Sequence, residues 1–233
     1  MSKKSLLYIG AGVLLMLMAV LTFVEGALVF SSTMDWRFEK AELSFRVFKD
    51  SGYLRYYMQE VMDFKAWIEI VLLALAGLLL VAKAFVPDFI PDIALVGAFG
   101  LLAVLAFFPF IKSFINIFST DKMEKFNNTL GMLAWALMDG LTLAAFGCMA
   151  AIILLKSNFG RFFFVPAGVA ALNAGLTFLA NITGMFNMNP LFLAINELPY
   201  VTQWAFGASF AFFLFDCVLV AALFAAGMAN NEE

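Results

Sequence analysis

The chain has 233 residues, 64% of them hydrophobic and 13% charged, with a formal net charge of −3 and no histidine. That much apolar surface exceeds what a soluble core of this length can hide, and the charge balance leaves no basic footprint for nucleic acid. Without histidine there is no imidazole base, no imidazole metal ligand and no bis-histidine haem.

Six long apolar runs, 5–31, 66–86, 92–118, 130–156, 162–185 and 201–228, each approach or exceed the ~20 residues needed to cross ~30 Å of hydrocarbon. No strand-like alternation accompanies them. Because backbone polar groups in lipid must be satisfied within the protein, the expected fold is all-α, a polytopic bundle of about six transmembrane spans forming one integral membrane domain over 1–233.

The first run follows Lys3 and Lys4 and continues well beyond a signal-peptide apolar region, so it is read as a retained helix. Between the first and second runs, 34–65 is amphipathic. Phe38, Ala41, Phe45 and Phe48 recur at helical spacing, as do Tyr53 or Leu54, Tyr57, Val61 and Phe64, with Asp50-Ser51-Gly52 as the break. Two short interfacial helices forming a hairpin are expected there, lying in the headgroup zone, capping a pathway or offering a docking surface to another subunit.

Pro87 and Pro91 bound the turn between the second and third runs. Segment 119–128 is a polar connection, 157–161 a compact turn, and 187–200 a longer loop with Pro190 and Pro199. Cys148 and Cys217 fall inside apolar runs and imply no disulfide framework. In the fifth run Ala167, Ala171 and Gly175 recur every four residues, a face on which another helix could pack closely. Six spans place both termini on one side of the bilayer, and Lys3 with Lys4 favours the cytoplasm.

Four carboxylates interrupt the apolar runs: Glu25, Glu69, Asp139 and Asp216. A charge at mid-bilayer costs ~2.5–3.5 kcal/mol on insertion scales, so such groups are paired, neutralised or beside water. At ~1.5 Å per residue, Glu69 lies ~5 Å, Glu25 ~9 Å, Asp139 ~14 Å and Asp216 ~22 Å from the face carrying 34–65. Asn173 and Asn181 fall within the same range and could coordinate neutrally, and Lys112 is at a depth where it could pair with Glu25 or Glu69. The bland alternative is that paired acids fix helix register.

No nucleotide loop, nucleophile elbow or clustered metal-ligand set is present in the sequence. The expectation is therefore no enzyme, no metal and no cofactor. Two functions remain: a channel or carrier for protons or small cations, with Asp139 and Asp216 deep and Glu25 and Glu69 in a vestibule, or a non-catalytic subunit of a larger membrane assembly. The expected partners are the lipid bilayer and either further copies of the chain or other membrane subunits. An inverted repeat pairing Glu25-Gly26 with Asp139-Gly140 competes with a second register that pairs Trp67 and Glu69 with Trp135 and Asp139.

Overall fold

The computed structural model describes residues 2–35, 46–87, 89–118, 126–155, 160–185 and 201–231, with side chains for 2–28, 47–87, 89–118, 133, 136–155, 161–178 and 213–231. Six long helices account for the apolar runs: α1 (Lys3–Asp35), α4 (Phe64–Phe85), α5 (Asp92–Ile117), α6 (Phe126–Leu154), α7 (Val165–Met185) and α8 (Val201–Asn231). Between α1 and α4 lie α2 (Arg46–Lys49) and α3 (Ser51–Tyr56), the latter running on into a π-helical turn, Tyr57–Val61. The chain is an all-helical membrane bundle. Among the described residues five stretches are long and apolar enough to cross a bilayer, and Val165–Phe178 of α7 is a shorter apolar one.

Local chemistry fixes the boundaries. The Asp50 carboxylate accepts from the Gly52 amide at 2.8 Å and starts α3, and Asp63 accepts from the Ala66 amide at 2.7 Å and starts α4. Pro91 precedes the first residue of α5, where its missing N–H costs nothing.

Each long helix packs on its sequence neighbour, and α8 closes onto α1, so the six form a ring in chain order. Gly12 and Gly77 bring α1 and α4 together so closely that a Cβ on either would strike the other's carbonyl oxygen. Gly227 of α8 meets the Phe163 carbonyl in the same way. Small residues at a helix crossing are how membrane helices gain packing contact without help from the hydrophobic effect.

Along every long helix the buried apolar core and the polar side chains separate by level. The core takes Tyr8 to Ala19 of α1, Leu72 to Leu80 of α4, Leu95 to Ala103 of α5, Ala145 to Ile153 of α6, Ala167 and Ala170 of α7, and Ala222 to Ala229 of α8. Since successive helices are antiparallel, these stretches form one layer at the end of the bundle that holds both termini. Leu15, Leu80, Leu95, Phe99, Leu102, Met149 and Leu223 are at most 2% exposed, so this layer is dry. Outward, only 33% of each candidate span is buried, and Phe85, Phe107, Phe108, Phe164 and Phe224 face away from the core, as lipid-facing phenylalanines do.

Of the apolar face expected over 34–65, Tyr57 is buried against the bundle while Phe48, Val61 and Phe64 are exposed, as apolar residues that lie in a headgroup zone are. In α7 the buried small residues are Ala167, Ala170 and Ala174, whereas Ala171 is exposed and a Cβ on Gly175 would touch nothing. The close-packing face thus lies one position away from the every-fourth-residue stripe.

Candidate functional site

The half of the bundle away from the termini holds a belt of polar side chains, one or two from each long helix. Ser113 of α5 donates to the Asp139 carboxylate of α6 at 2.7 Å. One turn along α6, Thr142 donates to the Met138 carbonyl and accepts from the Asn173 amide of α7, both at 3.1 Å. Thr177, one turn beyond Asn173, donates to the Asn173 carbonyl at 3.1 Å and sits beside the Asp216 carboxyl of α8 as a hydrogen-bond partner. Asp216 and Glu69 of α4 each lie within electrostatic range of Glu25 on α1.

Ring contacts hold this register. Phe178 stacks on Phe213 with centroids 4.7 Å apart, bringing Thr177 of α7 level with Asp216 of α8. Phe23 lies 6.4 Å from Trp67 where α1 and α4 meet near Glu25 and Glu69. The acids therefore divide three and one: Glu25 lies within electrostatic range of Glu69 and Asp216 on the helices either side of it, while Asp139 is held by Ser113.

Lys112 is displaced from its expected role. It is exposed and makes no ion pair with Glu25 or Glu69, because Ser113 is the α5 residue that faces α6 and its neighbour points about 100° away. The Asn181 side chain lies outside the described residues.

Among the described residues no Lys or Arg forms an ion pair with Glu25, Glu69 or Asp216. No group of three or more His, Cys, Asp or Glu that could hold a metal ion occurs among the described residues. Asn173 Oδ1 is buried with no donor. Such an orphaned acceptor is costly in a low-dielectric interior and is a natural place for a water molecule.

The cap reaches this belt through Tyr57, which the sequence reading used only as one residue of an apolar face. Its phenol donates to the Phe23 carbonyl at 3.3 Å, and its ring meets Phe23 edge-on with centroids 5.5 Å apart. It fills the space where Gly26 lacks a Cβ. Gly140, beside Asp139, likewise lies against an aromatic ring, that of Phe110. Burial, with the Glu25 charge adding to it, pushes the Tyr57 phenol above its ordinary 10.0. The docked cap thus holds the phenol neutral, and its contribution to stability is complete below pH 10 and is lost as pH rises through the raised folded value. Phenolate absorbance of the parent minus that of Tyr57→Phe should show one ionisation above pH 10. A difference step at or below pH 10 would mean that Tyr57 is not docked.

At the opposite end Lys83, 6% exposed, pairs with Asp92 across the proline-bounded turn and lies 5.8 Å from the Tyr8 ring. The signal was available in the sequence, since Lys83 ends one span and Asp92 begins the next. Threonines 142 and 177 were also findable, one helical turn from Asp139 and Asn173. Comparison of the chain with protein-family models, with curated proteins and with solved structures finds no match.

Proposed function

We propose that this chain is a proton carrier of the membrane, with Glu25, Glu69 and Asp216 as the exchanging groups. The observation that supports it is the placing of Glu25 on α1 within electrostatic range of both Glu69 on α4 and Asp216 on α8, with no ion pair to any of the three among the described residues and Lys65, one turn before Glu69, acting on that acid only at range. A structural ion pair joins opposite charges; acids brought near one another gain nothing from each other except as a site for positive charge. The dry layer below the belt suits a carrier, which closes one side at a time, rather than a standing pore.

The hydrogen-bonded arm, Asp139 with Ser113, Thr142, Asn173 and Thr177, extends the polar surface around the ring and supplies hydroxyl and amide groups beside Asp216. The second reading, a non-catalytic subunit of a membrane assembly, draws support from the outward two thirds of each span, which another protein could cover as well as lipid.

Proteoliposomes containing only this chain decide between them. Under the carrier reading an imposed pH gradient should collapse faster than in empty vesicles. If it does not, under any gradient or with Na⁺ or K⁺ present, the acids are structural and the subunit reading stands.

A further inference from the structure

Tyr57 joins features that the acid cluster alone does not explain. It lies in a π-helical turn, a rare and strained winding that concentrates at functional positions. It is 4% exposed although its neighbours Tyr56, Met58, Gln59, Glu60 and Val61 are all exposed. Its hydroxyl occupies the space above Gly26, the residue after Glu25, and bonds to Phe23, two residues before Glu25. Val47 of α2, fully buried, packs with Tyr57 against Ala27. Tyr57 and Val47, with Tyr53, Leu54 and Met62 packed beside them, therefore fasten the short cap helices to α1 next to the acid, while the rest of the π turn faces outward.

Resting on the reading of Glu25, Glu69 and Asp216 as the ion site, we propose that Tyr57 is the gating residue of that site: its side chain closes access to Glu25 from the cap side, and its departure from the Gly26 notch opens it. Gly26 is the required counterpart, since any side chain there would hold the phenol out. Tyr57 acts through Glu25, as a positioning residue.

The test uses the full chain in nanodiscs, which expose both membrane faces, and a water-soluble carbodiimide with an amine, the adducts being located by mass spectrometry. In the parent, Glu25 should react slowly and the exposed Glu60 quickly. Tyr57→Ala should speed reaction at Glu25 about tenfold or more, the change expected when a local closure is lost. Gly26→Ala, which keeps the tyrosine but fills its notch, should do the same, and Tyr57→Phe, which keeps the ring and loses only its anchor, should fall between. Glu60 and Asp139 should react at parental rates throughout.

Unchanged reaction at Glu25 in both Tyr57→Ala and Gly26→Ala, with helical content intact by circular dichroism, would overturn the gate. So would a parallel rise at Asp139, which would report loosening of the whole bundle. Because labelling needs no transport, the two readings fail separately. Faster labelling in a chain without flux leaves the gate and removes the carrier; flux with unchanged labelling does the reverse.

Discussion

Asp216→Asn should reduce proton flux in proteoliposomes by about a hundredfold or more, the loss expected when a proton-exchanging group is removed, while expression and helical content stay at parental levels. Asparagine keeps the shape of the side chain and can still pair with Thr177, so the packing of α7 on α8 is preserved. What it removes is a negative charge beside Glu25, which relieves repulsion rather than creating it. A change that spares the fold and abolishes flux therefore isolates the chemistry of the carboxyl. Glu25→Gln should behave alike, since Glu25 is the member that feels both of the others. Asp139→Asn should have a clearly smaller effect, because Ser113 can hold the amide as it holds the acid. Equal and complete loss in Asp139→Asn and Asp216→Asn would mean that the arm holding Asp139 is as much a part of the pathway as the acid cluster. Full activity in Asp216→Asn would remove that acid from it.

The largest loss of stability should come from Gly77→Leu. A Cβ at this position would lie 2.6 Å from the Gly12 carbonyl oxygen and 2.8 Å from Met16 Cγ, and the first of these is backbone that can yield only if α1 moves. Overpacking a tight core ordinarily costs ~1–3 kcal/mol, and a leucine driven between two backbones belongs at or above the top of that range. The detergent-solubilised variant should unfold at a distinctly lower temperature than the parent. Gly97→Leu is the control: a Cβ there meets nothing, and the variant should unfold with the parent. Coincident transitions for Gly77→Leu and the parent would show that α1 and α4 do not cross at these glycines.

The helices were legible in the sequence because length in hydrocarbon is a one-dimensional property. The six apolar runs match α1 and α4 to α8 to within a few residues at most ends, and Pro91 and Asp50 announced their own boundaries. The direction each helix faces was not legible. Core and lipid are both apolar, so periodicity that would betray the inner face of a soluble helix is blurred here. Lys112 and Ser113 illustrate this: they are adjacent in sequence and nearly equal in depth, yet one is exposed and the other holds Asp139. Tyr57 was legible as one residue of an apolar face, but spacing could not say which member of that face docks on α1, since Tyr57 is buried while Phe48, Val61 and Phe64 are exposed.

The division of the bundle into a polar belt and a dry leucine and phenylalanine layer also has an electrical meaning. Voltage falls mainly across the region of lowest polarisability, so most of a membrane potential drops between the acids and the end that holds the termini. One elementary charge crossing the full drop exchanges ~2.3 kcal/mol per 100 mV, enough to change a rate several-fold. Protons reaching Glu25 from the cap side would cross little of that field, whereas their onward passage would cross nearly all of it. Loading should then follow pH, and release should follow the membrane potential.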